Sequence, residues 1–261
     1  MSTTTLPLSY SANIYAAEAK YEILKQSRNR MYAFSSIGFP IMFYLIFGIM
    51  NRHETISGIS AAKYLLASYC VFGVLGASLF GVGVNLAMER GLGWLELKQA
   101  SPMPPLAMLL AKSITAATFA LIVTGLLILC GITLAGVHIT PLEVLKLASI
   151  VAVGAIPFGA MGLLFGLLAP ANAAPGLMNV FYIPMAFCSG LWMPLILLPH
   201  WIQKVAVFLP SYHLAQLAFH ALGFQEDPNF SYVQHWTALA GFTMLFLGIG
   251  WMTYRRANMK A

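Results

Sequence analysis

Ionisable side chains are scarce in this sequence: Asp, Glu, Lys and Arg together make up 8% of 261 residues. Water-soluble domains usually carry about 25%, so this chain has too few ionic groups to cover a water-facing surface. Acidic residues are the scarcer kind, 8 against 14 Lys and Arg. Cysteine is sparse too: Cys70, Cys130 and Cys188 lie inside apolar runs, where the expected role is that of a small buried hydrophobe rather than a disulfide or metal ligand. Neither H-E-x-x-H nor C-x-x-C spacing occurs, so no metal is expected. The phosphate-binding G-x-x-x-x-G-K-[ST] pattern is missing, because Lys112-Ser113 lacks the preceding glycines, and P-loop ATP hydrolysis is thereby excluded for this chain. Ionisable groups are also missing from the centres of the apolar runs. A charge near mid-bilayer costs about 2.5–3.5 kcal/mol and usually marks an ion pathway; its absence argues against a proton- or sodium-coupled carrier.

What is present is hydrocarbon, in blocks. Hydrophobic residues amount to 59% of the chain, and stretches free of Asp, Glu, Lys and Arg cover 31–51, 64–88, 113–142, 147–203 and 228–254. A helix needs about 20 apolar residues to cross the hydrocarbon layer. Four stretches fit one crossing each and 147–203 fits two, which predicts six. Helices follow because lipid offers no partner to an unpaired backbone amide. A β-barrel would need alternating ten-residue segments, and these runs do not alternate. The expected fold is all-α and polytopic, a single unit over 1–261, with 1–30 interfacial, 31–254 the membrane region and 255–261 a tail. The first run is too long for a signal-peptide core and is expected to be retained.

The formal charge of +6 is a topology signal rather than a nucleic-acid patch. With six crossings both termini share one side, together with Lys20, Lys25, Arg28, Arg30, Arg90, Lys98, Lys112, Arg255, Arg256 and Lys260. Only Arg52, Lys63, Lys146 and Lys204 fall on the other side. That asymmetry predicts cytoplasmic termini.

Along the chain, Tyr10, Ile14, Ala17, Tyr21 and Leu24 recur at three- and four-residue steps, with Glu18, Glu22 and Lys25 on a neighbouring face. This predicts an amphipathic helix lying on the membrane surface. Crossings are expected at about 31–50 (kinked at Pro40), 64–88, 112–137, 144–168 (kinked at Pro157), 176–193 and 236–254. Gly73, Ala77 and Gly81 in the second, and Gly162 and Gly166 in the fourth, form faces on which helices approach closely. Residues 89–111 make a loop with interleaved polar and apolar side chains. Residues 194–235 are apolar but broken by Pro199 and Pro210, which predicts one or two short helices dipping into the opposite interface. His213 and His220 read as interfacial rather than metal-binding. Ser189-Gly190 lacks the first glycine of a G-x-S-G protease site, so catalysis there is not expected.

Two segments taken together carry a resemblance. One runs through Met88-Glu89-Arg90-Gly91, Trp94-Leu95-Glu96-Leu97 and Ala100-Ser101-Pro102 to Leu110-Ala111-Lys112. The other runs through Ser189-Gly190-Leu191-Trp192-Met193-Pro194 and Leu198-Pro199-His200-Trp201 to Leu209-Pro210-Ser211-Tyr212. In order, and at opposite faces of six crossings, they make the chain resemble the ABC-2 family of ATP-binding-cassette exporter permeases over nearly its whole length. The resemblance implies a permease subunit in a bacterial inner membrane, itself not an enzyme and binding no cofactor. ATP and Mg would belong to a separate cytoplasmic ATPase, and a second permease subunit, as a homodimer or heterodimer, would complete the exporter.

The resemblance also implies residue roles. Glu89, Arg90, Gly91, Trp94, Leu95, Glu96, Ser101 and Pro102 would couple to the ATPase, with Glu89, Arg90, Glu96 and Lys98 as rim ion pairs and Trp94, Leu95 and Leu97 in an apolar groove. Phe39, Tyr44, Phe47, Phe181, Tyr182 and Phe187 would line the pathway. Ser189, Gly190, Pro194, Pro199 and Pro210 would form an outer gate. The cargo class is an amphiphilic molecule: drug, lipid or glycan. The competing reading is a polytopic membrane enzyme of lipid metabolism, whose polar groups would have to come from 89–98 or 213–227, and neither has a recognised catalytic spacing.

Overall fold

A computed structural model describes residues 8–56, 58–94, 97, 105–224 and 229–258. It is an all-α bundle. α1 (Leu8–Arg28) ends at Asn29, whose side chain accepts from the Tyr32 amide at 3.2 Å and so caps the next helix. α2 (Arg30–Phe43) contains Pro40 and widens into a π-helical turn, Tyr44–Gly48. The chain bends by 71° between the two helices. A two-residue hairpin pairs Thr55–Ile56 with Ile59–Ser60. α3 (Ala61–Ser78) continues through a second π-helical turn, Leu79–Val84, into α4 (Asn85–Gly91). α5 spans Pro105–Thr133 and α6 Pro141–Leu168; α7 spans Ala174–Cys188. A 3-10 turn at Leu195–Leu197 leads to α8 (His200–Ala206), α9 (Pro210–Ala221) and α10 (Tyr232–Asn258).

Among the described residues, four helices are long and apolar enough to cross a bilayer: Ala61–Gly91, Ala107–Thr133, Pro141–Leu168 and Tyr232–Thr253. The bent pair Asn13–Arg28 and Tyr32–Gly48 makes a fifth if it counts as one span. α7, the expected fifth crossing, has only 15 residues, about 22 Å at 1.5 Å per residue, against a hydrocarbon core of about 30 Å. It stops because the chain turns at Ser189-Gly190, where Gly190 takes a φ of +78° and the Leu191 amide reaches back to the Ala186 carbonyl.

The continuous helix α3–α4 is central, with 94% of its apolar window buried; that of α10 is 11% buried, so α10 lines the outside of the bundle. The glycine faces set these contacts. A Cβ at Gly73 would lie 2.7 Å from Val123 of α5, and one at Gly81 would lie 2.4 Å from the Tyr32 hydroxyl. Gly162 and Gly166 of α6 pack on the π-helical turn itself, where added Cβ atoms would come within 2.9 Å of the Ser78 carbonyl and 2.7 Å of the Gly83 carbonyl. α6 starts on a capping box: Glu143 N–H donates to Thr140 Oγ1 at 3.3 Å, and Thr140 N–H donates to Glu143 Oε2 at 2.8 Å. It runs as one helix through Pro157.

Candidate functional site

The third crossing was expected from residue 112, but α5 begins at Pro105, the first-turn position that proline favours. Lys112 therefore sits about two turns inside the helix, where it is 1% exposed. Such a cation requires partners. Lys112 Nζ lies 3.0 Å from Glu22 Oε1 of α1 and 3.0 Å from Glu89 Oε2 of α4. Lys25 closes the ring, 2.8 Å from Glu22 and in contact with Glu89. Each lysine thus touches both carboxylates. Burial pushes the Glu22 carboxyl up, but Lys112 and Lys25 outweigh it and hold it below the ordinary carboxylate value. Burial likewise disfavours the Lys25 ammonium, and Glu22 and Glu89 overcome that and raise it.

This corrects the expectation that Glu89 and Arg90 stand on an exposed rim. Glu89 is 4% exposed, and the Arg90 guanidinium turns inward to the carbonyls of Leu167 and Ala169, the latter at 2.5 Å, capping the C-terminus of α6. Gly91 is small for a reason: a Cβ there would lie 2.7 Å from Ala171. Past this anchored root the chain turns at Gly93 (φ +75°). Among the described residues there, the exposed large side chains are apolar, with Leu92 65%, Trp94 50% and Leu97 71% exposed. Of the other expected coupling residues, Leu95, Glu96, Lys98, Ser101 and Pro102 lie outside the described residues.

α1 is oriented by the same ring. Its apolar stripe is turned outward at Ala17, Tyr21 and Leu24, while its buried described side chains are Glu22 and Gln26, the latter donating to the Gly81 carbonyl at 2.7 Å. Ile14, Tyr15, Ala19 and Ile23 are half-buried beside them, so the side of α1 turned to the protein mixes charged and apolar groups.

The second motif lies at the far end of α3–α4, since Tyr64 and Glu89 are 25 residues apart on one helix, about 37 Å. Tyr64 donates to the Gly190 carbonyl at 3.0 Å and stacks on Phe219 at 4.4 Å. Ser189 and Ser211 share a hydrogen bond of 2.5 Å. Pro199 is the N-cap residue of α8, Pro210 begins α9, and Pro194 precedes the 3-10 turn. His213 and His220 both face α10 but meet different residues: His213 Nδ1 lies 2.9 Å from His235 Nδ1, and the His220 ring lies 4.9 Å from that of Tyr232, tilted by 48°.

The six aromatic residues expected along a pathway divide. Phe39, Phe47 and Phe181 are exposed on the outside of this chain, and Phe187 is half-buried against Trp192. Tyr44 is fully buried, its ring fitted over Gly48 and its hydroxyl beside Gly131. Tyr182 packs inward on Phe72 at 4.7 Å and Phe80 at 5.4 Å. These two are packing residues here. Among the described residues no group of three or more His, Cys, Asp or Glu side chains converges to hold a metal ion.

The ring through Lys112 was not foreseen from the sequence. The available signals were an i,i+3 Glu22–Lys25 pair and a lysine opening an apolar run, but nothing in either says that they meet.

Comparison with known proteins bears on both ends. A family profile described as "ABC-2 type transporter" matches residues 15–222, from α1 through the end of α9. A curated relative named "Putative transport permease YvfS", from Bacillus subtilis (strain 168), is 29% identical over 208 residues, covering 79% of this chain and 84% of the relative.

Proposed function

The chain belongs to the ABC-2 type transporter family, and from that premise we propose that it is the permease subunit of an ATP-driven exporter. It moves an amphiphilic cargo out across a bacterial inner membrane, powered by a separate cytoplasmic ATPase. The observation that carries this reading is the construction of the stub between α4 and α5. Its root is bonded inward through Glu89 and Arg90, and its tip leaves Leu92, Trp94 and Leu97 exposed. An aromatic and aliphatic tip on a rigid base suits docking into an apolar groove of a partner, where a few such anchors dominate the binding energy.

Six crossings complete the reading, with α7 as a short fifth one and the termini and stub in the cytoplasm. The short helices at the far end act as the outer gate, around Ser189, Gly190, Pro194, Pro199 and Pro210. A second permease subunit covers the exposed faces of α2 and α7, so that Phe39, Phe47 and Phe181 face the pathway between subunits.

The test is co-isolation. The tagged wild-type chain should bring down a nucleotide-binding subunit and show no ATPase activity without it. The Trp94→Ala/Leu97→Ala double variant should lose that subunit while reaching the membrane in normal amount, because both side chains are exposed. Unchanged recovery of the ATPase with the double variant would refute the docking assignment.

A further inference from the structure

We propose that Glu22, Lys25, Glu89 and Lys112 are positioning residues for energy coupling, joining α1, the root of the stub and the buried start of α5 into one mechanical body. The inference rests on the docking role given to the stub above. A single buried ion pair would serve to neutralise Lys112. The structure has instead a closed ring of alternating charges drawn from three segments, in which each lysine contacts both carboxylates. Moving Glu89 alone would separate it from Lys25 and Lys112 at once; Lys25 is 35% exposed and can be rehydrated, but Lys112, 1% exposed, cannot. Apolar packing can slide, since it has no direction. Charge contacts at 3 Å cannot slide without loss.

α1 also packs on α5, with Ile14, Ala19 and Ile23 half-buried. Its fully buried described side chains are polar, Glu22 in the ring and Gln26 on the Gly81 carbonyl, while Ala17, Tyr21 and Leu24 are exposed. The neighbouring residue extends the connection, because Arg90 binds the carbonyls that end α6. A displacement of the stub therefore reaches α1, α5 and α6 together through two consecutive residues. α1, lying across the bilayer surface with its apolar side in lipid, would carry that displacement along the membrane plane.

The experiment uses the full chain with its co-isolated ATPase in lipid nanodiscs. Cys70, Cys130 and Cys188 are replaced by alanine, and nitroxide pairs are placed by Tyr21→Cys on α1, Leu92→Cys on the stub and Ile196→Cys at the far end, all exposed positions. When the ATPase is trapped with ATP and vanadate, the Tyr21–Leu92 distance should stay constant while both labels shift relative to Ile196. Lys112→Met should broaden the Tyr21–Leu92 distribution and abolish the α1 shift, with ATPase recovery within about twofold of wild type. Lys112→Arg should restore the wild-type response, which a loss of general stability would not predict. If Lys112→Met does not reach the membrane, Glu22→Gln removes charge from the α1 side alone and is read in the same way.

A wild-type α1 that moves independently of the stub, or a Lys112→Met chain that keeps both responses, overturns the proposal. If no ATPase co-isolates with the wild type, the docking role fails. The joint is then judged on the isolated chain, where equal Tyr21–Leu92 widths in wild type and Lys112→Met overturn it.

Discussion

At the stub end of the bundle four charges close on one another, with Lys112 1% and Glu22 and Glu89 each 4% exposed. At the far end the junctions are made by hydroxyls, imidazoles and carbonyls: Ser189 to Ser211 at 2.5 Å, His213 to His235 at 2.9 Å and Tyr64 to the Gly190 carbonyl at 3.0 Å. The ion pair there, Lys63 with Glu143 at 2.6 Å, is left 15% and 19% exposed. The difference is one of degree. Ser189, Ser211, His213 and His235 are as buried as Lys112, and an uncharged group left without its partner there costs about 1–3 kcal/mol. Breaking a buried charge pair costs more, about 3–5 kcal/mol. The stub end therefore loses more when its contacts part than does the far end, made of helices of 7 and 12 residues interrupted by prolines. In the proposed function that order suits a stiff input at the stub and a far end that repacks at lower cost.

The comparison breaks most visibly at Lys112. Lys112→Met leaves Glu22 and Glu89 buried with Lys25 as their shared cation, and removing one member of a buried charge network costs about 3–5 kcal/mol. Denaturant titration in detergent should report a loss of that size. The pH profile should follow from the ring as well. Because Glu22 is held low in the folded chain, its contribution is present at neutral pH and is lost as pH falls through its depressed value. Because Lys25 is held high, its contribution is present below the ordinary lysine value and is lost as pH rises through the raised one. Wild type should therefore lose stability in acid more steeply than Lys112→Met does.

A smaller effect is expected midway between the ends, where no charge is involved. Gly162→Val brings a branched side chain against the Ser78 carbonyl, which an added Cβ would already approach to 2.9 Å. The backbone of the π-helical turn must yield, and overpacking of this kind costs about 1–3 kcal/mol. The same titration measures it, and a loss below that of Lys112→Met keeps the ranking. A neutral result would mean that α6 and the π-helical turn are not in close contact.

The legible part of this protein was the part governed by composition. Apolar runs of 20 or more residues mark the long helices but not their starts: α5 and α6 begin at Pro105 and Pro141, ahead of the expected 112 and 144. The small-residue faces were readable because close approach leaves only glycine and alanine as candidates, and Gly73, Gly81, Gly162 and Gly166 all meet a neighbour. The ring was not readable. Glu22 and Lys112 are 90 residues apart, and a lysine at the edge of an apolar run looks the same whether it reaches for headgroups or for two buried carboxylates. α1 shows the same limit from the other side: periodicity separated Ala17, Tyr21 and Leu24, which are exposed, from Glu22, which is buried, but could not name the partners that Glu22 meets. Charges in a chain this poor in them are best read as partners to be found, since the alternative is an expensive orphan.

The smallest expected effect is at the far end. Tyr64→Phe keeps the ring that stacks on Phe219 at 4.4 Å and meets Phe224 edge-on at 5.5 Å, so the packing of α3 on α9 survives. Only the hydroxyl is lost, and with it the bond to the Gly190 carbonyl. That carbonyl belongs to the turn with φ +78° that ends α7 and starts the run of short helices. A neutral bond of this kind contributes about 0.5–1.5 kcal/mol net, several-fold less than the charge lost in Lys112→Met. Denaturant titration of the two variants side by side measures the ratio directly. A Tyr64→Phe loss as large as that of Lys112→Met would mean that a single hydroxyl holds the far end as firmly as a charge holds the stub, and the contrast between the two ends would have no basis.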